Sequence, residues 1–259
     1  MITAGVDCGG KNTKTVILND GRIVGRASAR TGYQPVGAVE MSMESALREA
    51  GLERSDLDRI GGTGSGRNSV KPADTIVDER EAMGRGALYY FPGARTVIDV
   101  GAEEARAARL DGNGNVSDFV VNEKCAAGAG SFIEAMGRAL ETDVRDMGPL
   151  ALESDKGISM NAQCAVFAES EVVGLIHANA EKKDISRAVH DAMAGRLVSM
   201  IRRIGVLEDV VMIGGVARNP GIVEAIKRDL KIGEIHVPED PEYASALGAA
   251  LAAAGGPVA

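Results

Sequence analysis

The chain has few aromatic residues and lacks the long apolar run of a membrane protein. Tryptophan is absent and aromatic residues make up 3% of the 259 residues, whereas hydrophobic residues as a whole make up 45%. The predicted core is therefore aliphatic, and the length suffices for one large domain or two small ones. No apolar run reaches the roughly eighteen residues of a membrane helix, and the N-terminus lacks the basic and apolar regions of a secretory signal. We therefore expect a cytoplasmic protein with no membrane partner.

Basic residues, cysteines and histidines are also scarce. Lysine and arginine number 29 against 37 acidic residues, for a net charge of −8. Nonspecific nucleic-acid binding needs a basic face, so no nucleic-acid partner is expected. The three cysteines are odd in number and widely spaced, which argues against a disulfide framework. The three histidines, His177, His190 and His236, fall in separate predicted elements and are expected on the surface or on helix faces.

Glycine, in contrast, is abundant at 33 residues, and many glycines follow apolar runs. The first such run predicts a strand over 2–6, followed by a glycine-rich turn over 7–14 and by strands over 15–18 and 22–29. Because a strand and not a helix follows the turn, it is neither a Walker P-loop nor a dinucleotide fingerprint. Its backbone N–H groups, hydroxyl and ammonium groups beside a carboxylate suit a phosphate tail with Mg²⁺. Taken alone, the turn is explained equally well as a glycine-rich hairpin with solvated lysines.

The second half of the chain opens as the first does. An apolar strand over 96–100 contains Asp99 in an Asp-x-Gly sequence and is followed by strands over 105–110 and 116–121. This weak repetition predicts two similar halves that face a cleft, with Asp7 and Asp99 on opposite sides of one metal–phosphate site. The break at Pro92-Gly93 predicts a first lobe over 1–93, joined by the C-terminal helix 244–256, and a second lobe over 94–243.

A third glycine turn and several helices complete the prediction. The buried strand over 210–213 runs into Gly214-Gly215 and then a helix, an arrangement suited to the sugar and phosphates of a nucleotide. Apolar residues at helical spacing and helix breakers predict helices over 36–50, 79–90, 131–140, 165–177, 185–204, 222–230 and 244–254.

Two cysteines stand where a thiolate is favoured. Cys125 and Cys164 each lie beside small residues just ahead of a predicted helix, and a helix N-terminus lowers the pKa of a thiol. Together they supply half of a four-cysteine metal site, so a second chain would have to supply the other half. Two inert thiols remain the alternative. Cys8 is expected to be a small packing residue.

The glycine turns and both cysteine segments resemble one known family. They are similar to the ATPases that include the activators of 2-hydroxyacyl-CoA dehydratases and the ATP-binding subunits of benzoyl-CoA reductase, nearly from end to end. The segments that carry the resemblance are Asp7–Gly10, Gly62–Arg67, Ile98–Gly101, Lys124–Gly130, Cys164–Glu171 and Gly214–Asn219.

The resemblance implies an α/β fold with two lobes, the ribonuclease H-like fold of actin, Hsp70 and sugar kinases. It implies that Cys125 and Cys164 bind a 4Fe–4S cluster shared between two subunits, and that MgATP binds in the cleft. Asp7, Asp99 and Glu103 would be the catalytic residues. The nucleotide would contact Gly9, Gly10, Lys11, Asn12, Thr13, Lys14, Gly101, Ala102, Gly128, Gly130, Gly214, Gly215, Val216 and Asn219.

Hydrolysis would move the helices that carry the cluster and send a low-potential electron to acyl-CoA-reducing subunits, after a ferredoxin or a similar donor has reduced the cluster. The family pattern has Gly-Gly-Gln-Asp where this chain has Gly101-Ala102-Glu103-Glu104. Glu103, like the glutamine, could orient the attacking water, and it could also accept a proton.

This difference, together with Asn161-Ala162-Gln163 ahead of Cys164, favours the benzoyl-CoA reductase branch and a heterodimer with a homologous ATPase subunit. A homodimeric activator of a 2-hydroxyacyl-CoA dehydratase is the first alternative. A metal-free small-molecule kinase of the same fold, with Glu103 as the base, is the second.

Overall fold

The computed structural model describes residues 1–71, 73–122, 128–161 and 164–255. The strands are β1 Ile2–Cys8, β2 Asn12–Asn19, β3 Arg22–Arg30, β4 Arg59–Thr63, β5 Thr75–Ile76, β6 Thr96–Val100, β7 Ala105–Leu110, β8 Val116–Val121 and β9 Val210–Ile213. The helices are α1 Pro35–Ala50, α2 Glu79–Tyr90, α3 Ala129–Ala139, α4 Val144–Leu152, α5 Ala165–His177, α6 Lys182–Ile201, α7 Pro220–Leu230 and α8 Ala244–Ala253.

The first sheet has the strand order β3-β2-β1-β4-β5. Strand β1 pairs antiparallel with β2 and parallel with β4. The β2–β3 hairpin closes at Asp20 and Gly21, whose φ angles are 48° and 77°. Positive φ at both central residues gives the turn type whose twist matches that of the flanking strands.

The second sheet repeats the first. Its order, β8-β7-β6-β9, corresponds to β3-β2-β1-β4, again with one antiparallel hairpin pair and one parallel neighbour around the central strand. At the edge, His236 forms a single parallel bridge to Val211. The predicted internal repetition is therefore present in the strand topology.

Helices α2 and α8 pack against each other between the two sheets. Helix α8 contacts β1, β2 and β4, whereas α2 contacts β6, β7, β8 and β9. Glycine permits this contact: a Cβ on Gly248 would lie 1.8 Å from the carbonyl oxygen of Ala82, and one on Gly86 would lie 2.0 Å from that of Ala244. The lobe boundaries stay a prediction. Helix α2, which lies within the predicted first lobe, packs against the sheet of the second lobe.

The interior is aliphatic, as the composition predicts. Phe132 of α3 is a fully buried aromatic side chain in the largest core cluster, which α3, α6 and α7 form against the second sheet. The apolar stripe predicted for α6 and the 3₁₀ turn after it is buried throughout, at Ile185, Val189, Met193, Leu197, Met200 and Ile204. Among the described residues, no helix is long and apolar enough to cross a membrane.

Candidate functional site

A cleft of about 620 Å³ lies where the turns after β1 and β6 face the turns after β4 and β9. In open α/β sheets, ligands bind beyond the carboxyl ends of parallel strands, and here both sheets present those ends to one cleft. Most of the predicted site residues line it: Asp7, Gly9, Gly10, Lys11, Asn12, Lys14, Asp99, Gly101, Ala102, Glu103, Gly130, Gly214, Gly215, Val216 and Asn219.

Two aspartates occupy equivalent positions in the duplicated sheets. Asp7 of β1 is the cross-strand partner of Lys14, and Lys14 Nζ lies 3.1 Å from Asp7 Oδ2. Asp99 of β6 is the cross-strand partner of Arg106, and Arg106 Nη1 lies 3.6 Å from Asp99 Oδ2. Each lobe thus brings one carboxylate and one cation to the cleft.

A glycine with positive φ follows the parallel neighbour of each central strand. Gly64, with φ of 91°, lies where a Cβ would be 2.4 Å from Asp7 Oδ1. Gly214, with φ of 87°, lies where a Cβ would be 2.5 Å from Asp99 Oδ1. Any side chain at these positions would collide with the carboxylate, so the backbone reaches the aspartates only because both residues are glycine.

The charges of the cleft depend on one another. Burial opposes the charged form of Lys14, but the carboxylates of Asp7 and Asp99 outweigh it and raise the pKa of Lys14. Burial raises the pKa of Asp99, and the charge of Arg106 opposes that shift. The carboxylates suit Mg²⁺, whereas the ammonium and guanidinium groups suit phosphate oxygens.

Arg106 is a site residue that the sequence reasoning missed. Its guanidinium also contacts Glu79 Oε1 at 3.2 Å and forms an ion pair with Glu104, so it joins the cleft to the start of α2. Burial opposes its charge, but Asp99 and Glu79 outweigh burial and raise its pKa. The internal repeat held the signal, because Arg106 follows Asp99 at the same spacing as Lys14 follows Asp7.

Two contacts cross the cleft near the glycine turn of the first lobe. Glu103 lies opposite Gly10, whose added Cβ would meet Glu103 Cγ at 3.2 Å, and its carboxylate accepts a hydrogen bond of 2.7 Å from the Ser131 hydroxyl. Lys11 forms an ion pair with Glu134 of α3. Glu134 is a second site residue that no local pattern indicates, because it lies on a helix that only the tertiary fold brings to the cleft.

The third glycine turn forms the other end of the cleft. Gly215–Arg218 is a 3₁₀ turn that leads into α7. The Asn219 side chain accepts hydrogen bonds from the backbone N–H groups of Gly221 and Ile222, so it caps α7 as well as lining the cleft. Arg218 also lines the cleft and is held by Asp240 and Glu242.

Two predicted nucleotide contacts do not line the cleft. The side chain of Thr13 is buried, and its hydroxyl lies 3.0 Å from that of Thr31. Successive side chains of a strand point to opposite faces, so Thr13 turns inward where Asn12 and Lys14 reach the cleft. Gly128 caps α3 and packs against the backbone of Ala102 and Glu103.

Of the two predicted cluster ligands, Cys125 lies outside the described residues. Cys164 is half-buried at the N-cap of α5, the helix start that the sequence predicts. Cys8 is fully buried, as expected for a packing residue, and burial raises the pKa of its thiol. Within the described ranges, no group of three or more His, Cys, Asp and Glu side chains is placed to hold a metal ion.

The two lobes repeat one strand order, and each contributes one ion pair to the cleft. The chain therefore has the two-lobed actin-like ATPase fold, as predicted. The chain belongs to the BadF/BadG/BcrA/BcrD ATPase family, whose sequence profile matches residues 4–253.

The named relatives include members of both branches of this family. A 2-hydroxyisocaproyl-CoA dehydratase activator of Clostridioides difficile is 40% identical over 252 residues, covering 97% of this chain and 94% of the relative. A solved structure of the activator of this dehydratase from Clostridium difficile, with bound ADPNP, is 39% identical, covers 98% of this chain and 94% of its own, and superposes with a TM-score of 0.92. A benzoyl-CoA reductase subunit of Thauera aromatica is 32% identical over 264 residues, covering 96% of this chain and 92% of the relative.

The preference for the benzoyl-CoA reductase branch is therefore not supported, since the dehydratase activator is more similar over the same extent of chain. Glu103 and the residues ahead of Cys164, which suggested that preference, make up a small part of the sequence.

Proposed function

We propose that this chain is the ATP-hydrolysing activator of a 2-hydroxyacyl-CoA dehydratase, which drives a low-potential electron from an iron–sulfur cluster to that enzyme. The observation that carries the proposal is the duplicated Asp7–Lys14 and Asp99–Arg106 geometry around one cleft. The similarity to the dehydratase activator supports this branch of the family. Under this proposal the electron acceptor is a 2-hydroxyacyl-CoA dehydratase and not a dearomatising reductase.

MgATP would bind in the cleft with its phosphates between the glycine turns after β1 and β6. Lys11 and Lys14 supply positive charge there, and Asp7 and Asp99, which both line the cleft, would hold Mg²⁺ or its water. Glu103, whose carboxylate accepts a hydrogen bond from the Ser131 hydroxyl, would orient the attacking water and take its proton. The turn from Gly214 to Asn219 would hold the nucleoside. The solved relative with bound ADPNP supports nucleotide binding in this family.

The thiols fit a cluster shared between two chains. Cys164 is partly accessible at the N-cap of α5. The helix that follows leaves large apolar side chains exposed, namely Val166, Phe167, Val173 and Ile176. An exposed apolar face beside a half-set of ligands suits burial against a second chain. We infer that Cys125 and Cys164 of two copies hold one 4Fe–4S cluster, which supplies the low-potential electron.

The partners follow from this arrangement. A second copy of this chain completes the cluster site, so a homodimer replaces the heterodimer that the benzoyl-CoA reductase interpretation required. The dehydratase is the electron acceptor, and a ferredoxin or a protein of similar potential is the donor. Movement of the lobes during hydrolysis would change the surroundings of an interface cluster.

Anaerobic purification of the chain on its own tests the proposal. We expect a dimer with about four irons per pair of chains, release of free phosphate from MgATP, and a reduction potential that changes when nucleotide binds. Cys164→Ser should abolish iron binding, whereas Cys8→Ala, at a buried packing thiol, should keep the iron. A chain that gains iron only with a homologous partner would instead support the benzoyl-CoA reductase type. An iron-free dimer that transfers phosphate to a small molecule would support the kinase.

A further inference from the structure

His190 is a buried histidine that the proposed function does not use. It lies on α6 with 1% of its surface exposed. Its Nδ1 lies 2.7 Å from the carbonyl oxygen of Ser186, and its Nε2 lies 3.0 Å from Asn219 Nδ2. Asn219 in turn lines the cleft. The imidazole therefore connects the long core helix to the far end of the candidate nucleotide site.

The surrounding groups define the orientation of both side chains. Asn219 Oδ1 accepts from the backbone N–H groups of Gly221 and Ile222, at 3.0 and 3.2 Å, so the other amide atom is the nitrogen, a donor. The Ser186 carbonyl accepts only, so Nδ1 of His190 carries the proton. Nε2 is then the acceptor for Asn219. Burial lowers the pKa of His190, which favours this neutral form.

Asn219 ends the glycine turn that lines the cleft. The turn is held at its start, where the Gly214 N–H donates to the Pro241 carbonyl at 2.9 Å. It is held at its end by Asn219, through the cap on α7 and the contact with His190. Gly148 of α4 adds steric confinement, because a Cβ there would lie 2.3 Å from Asn219 Oδ1. Within this close packing, Nε2 of His190 is the acceptor that takes the amide hydrogen of Asn219.

We propose that His190 is a positioning residue for nucleotide binding: its Nε2 lone pair fixes the Asn219 amide and thereby the glycine turn from Gly214 to Asn219. The inference rests on the proposed function, because it assigns the nucleoside end of the cleft to this turn. Loss of the acceptor leaves a part-buried amide hydrogen without its partner on His190 and frees the amide to rotate away from its cap. Nucleotide affinity then falls while the phosphate turns and Glu103 are untouched.

Two substitutions separate this role from simple packing. His190→Gln places a carbonyl oxygen near the position of Nε2 and keeps an acceptor for Asn219. His190→Asn places an amide near the position of Nδ1, so it keeps the donor to Ser186 and loses that acceptor. With the ATP analogue ADPNP and Mg²⁺ as the probe, we expect His190→Asn to weaken binding about tenfold. His190→Gln should bind ADPNP within about twofold of the wild type. In His190→Asn, the KM for ATP should rise while kcat stays nearly constant.

A double-mutant cycle keeps the test decisive if a variant is destabilised. Asn219→Ser retains a good helix cap but has no amide to donate. In that background His190→Asn should leave ADPNP affinity unchanged within about twofold, because coupling exists only between groups in contact. Equal effects of Asn and Gln at position 190, or an undiminished effect of His190→Asn in the Asn219→Ser background, would overturn the proposal. Wild-type protein that binds no nucleotide would instead refute the proposed function.

The tautomer gives an independent readout. The chain has three histidines, so nitrogen-15 spectra of the imidazoles can be assigned with three single substitutions. We expect one neutral histidine with its proton on Nδ1, and we expect this signal to vanish in His190→Gln. A proton on Nε2 would contradict the contact with Asn219 and overturn the proposal.

Discussion

Glu103 lies across the cleft from Gly10, with its carboxylate held 2.7 Å from the Ser131 hydroxyl. If the carboxylate both orients water and takes its proton, glutamine preserves the first task and alanine preserves neither. We expect Glu103→Gln to lower ATP hydrolysis by about tenfold and Glu103→Ala by about a hundredfold or more. Both variants should bind ADPNP as the wild type does. Phosphate release under saturating MgATP measures the difference.

Glu44 supplies the matched control, because it is an exposed glutamate on α1 outside the residues that line the cleft. Glu44→Gln should leave hydrolysis unchanged. Full activity in Glu103→Ala would show that another group orients the water, and the assignment of Glu103 would then be wrong.

His190 makes stability depend on pH. Burial lowers its pKa below the ordinary value of 6.5. As the pH falls below that value, the unfolded chain takes up a proton that the folded chain does not, so the free energy of unfolding decreases. The decrease is at most about 1.4 kcal/mol per pH unit and ends at the pKa of the folded state. Urea unfolding at pH 7.5 and 5.5 should show it.

His190→Gln cannot titrate, so it isolates this contribution from that of the carboxylates. Asp99 and Glu79, whose pKa values burial raises, act in the opposite direction and are common to both proteins. The loss of stability between the two pH values should therefore be smaller in His190→Gln. The same loss in both proteins would show that His190 is not buried in its neutral form.

Residues next to a strand end were predictable, and residues brought in from elsewhere were not. Asp7, Asp99 and the three glycine turns follow apolar runs directly, so local sequence indicated them. Glu134 comes from a helix that reaches the cleft only through tertiary packing. Thr13 shows the converse error, because its position in the turn suggested a ligand contact while strand alternation turns its hydroxyl into the core.

At the scale of elements, the α2–α8 contact joins the two sheets. A methyl group on Gly248 would lie 1.8 Å from the Ala82 carbonyl oxygen, a distance that only movement of the helix backbone can relieve. In Gly248→Ala, the cost of this clash should exceed the roughly 1 kcal/mol that alanine gains over glycine in a helix. The variant should therefore be less stable than the wild type. Thermal or urea unfolding of the variant measures the net change.

Gly195 provides the comparison within a helix. It is exposed on α6, and the nearest atom to an added Cβ is Asp229 Oδ2 at 4.0 Å. Gly195→Ala should stabilise the protein by about 0.5–1 kcal/mol, because it gains helix propensity without a clash. A stabilised Gly248→Ala variant would contradict the close packing of α2 and α8.

Most of the elements followed the sequence closely. Helix α2 has the predicted bounds, and α1 and α8 differ from theirs by one residue at one end. Helix α4 was not predicted. It is nine residues long and contains Pro149, which removes an intrahelical hydrogen bond, so its local signal is weak. Its burial against α6 and α7 stabilises what the local sequence does not specify.

For the molecule as a whole, helix α5 presents a large apolar surface beside Cys164. Phe167 is 67% exposed and Val166 is 69% exposed, although both are large hydrophobic residues. Under the proposed function this surface is buried against a second copy of the chain. Phe167→Glu places a charge there, and an unpaired buried charge opposes association. We expect a monomer without iron that still binds ADPNP, as judged by light scattering, iron analysis and calorimetry.

Met41 distinguishes a specific interface from general exposure of apolar side chains. It is 55% exposed on α1, a helix that packs on the first sheet, whereas α5 packs against α3 and α6. Met41→Glu should remain a dimer with its cluster. If Phe167→Glu also remains dimeric and retains iron, the cluster site does not depend on α5 packing against a second copy. If Phe167→Glu loses nucleotide binding as well, the cleft and the interface are not the separable units that the two-lobed architecture implies.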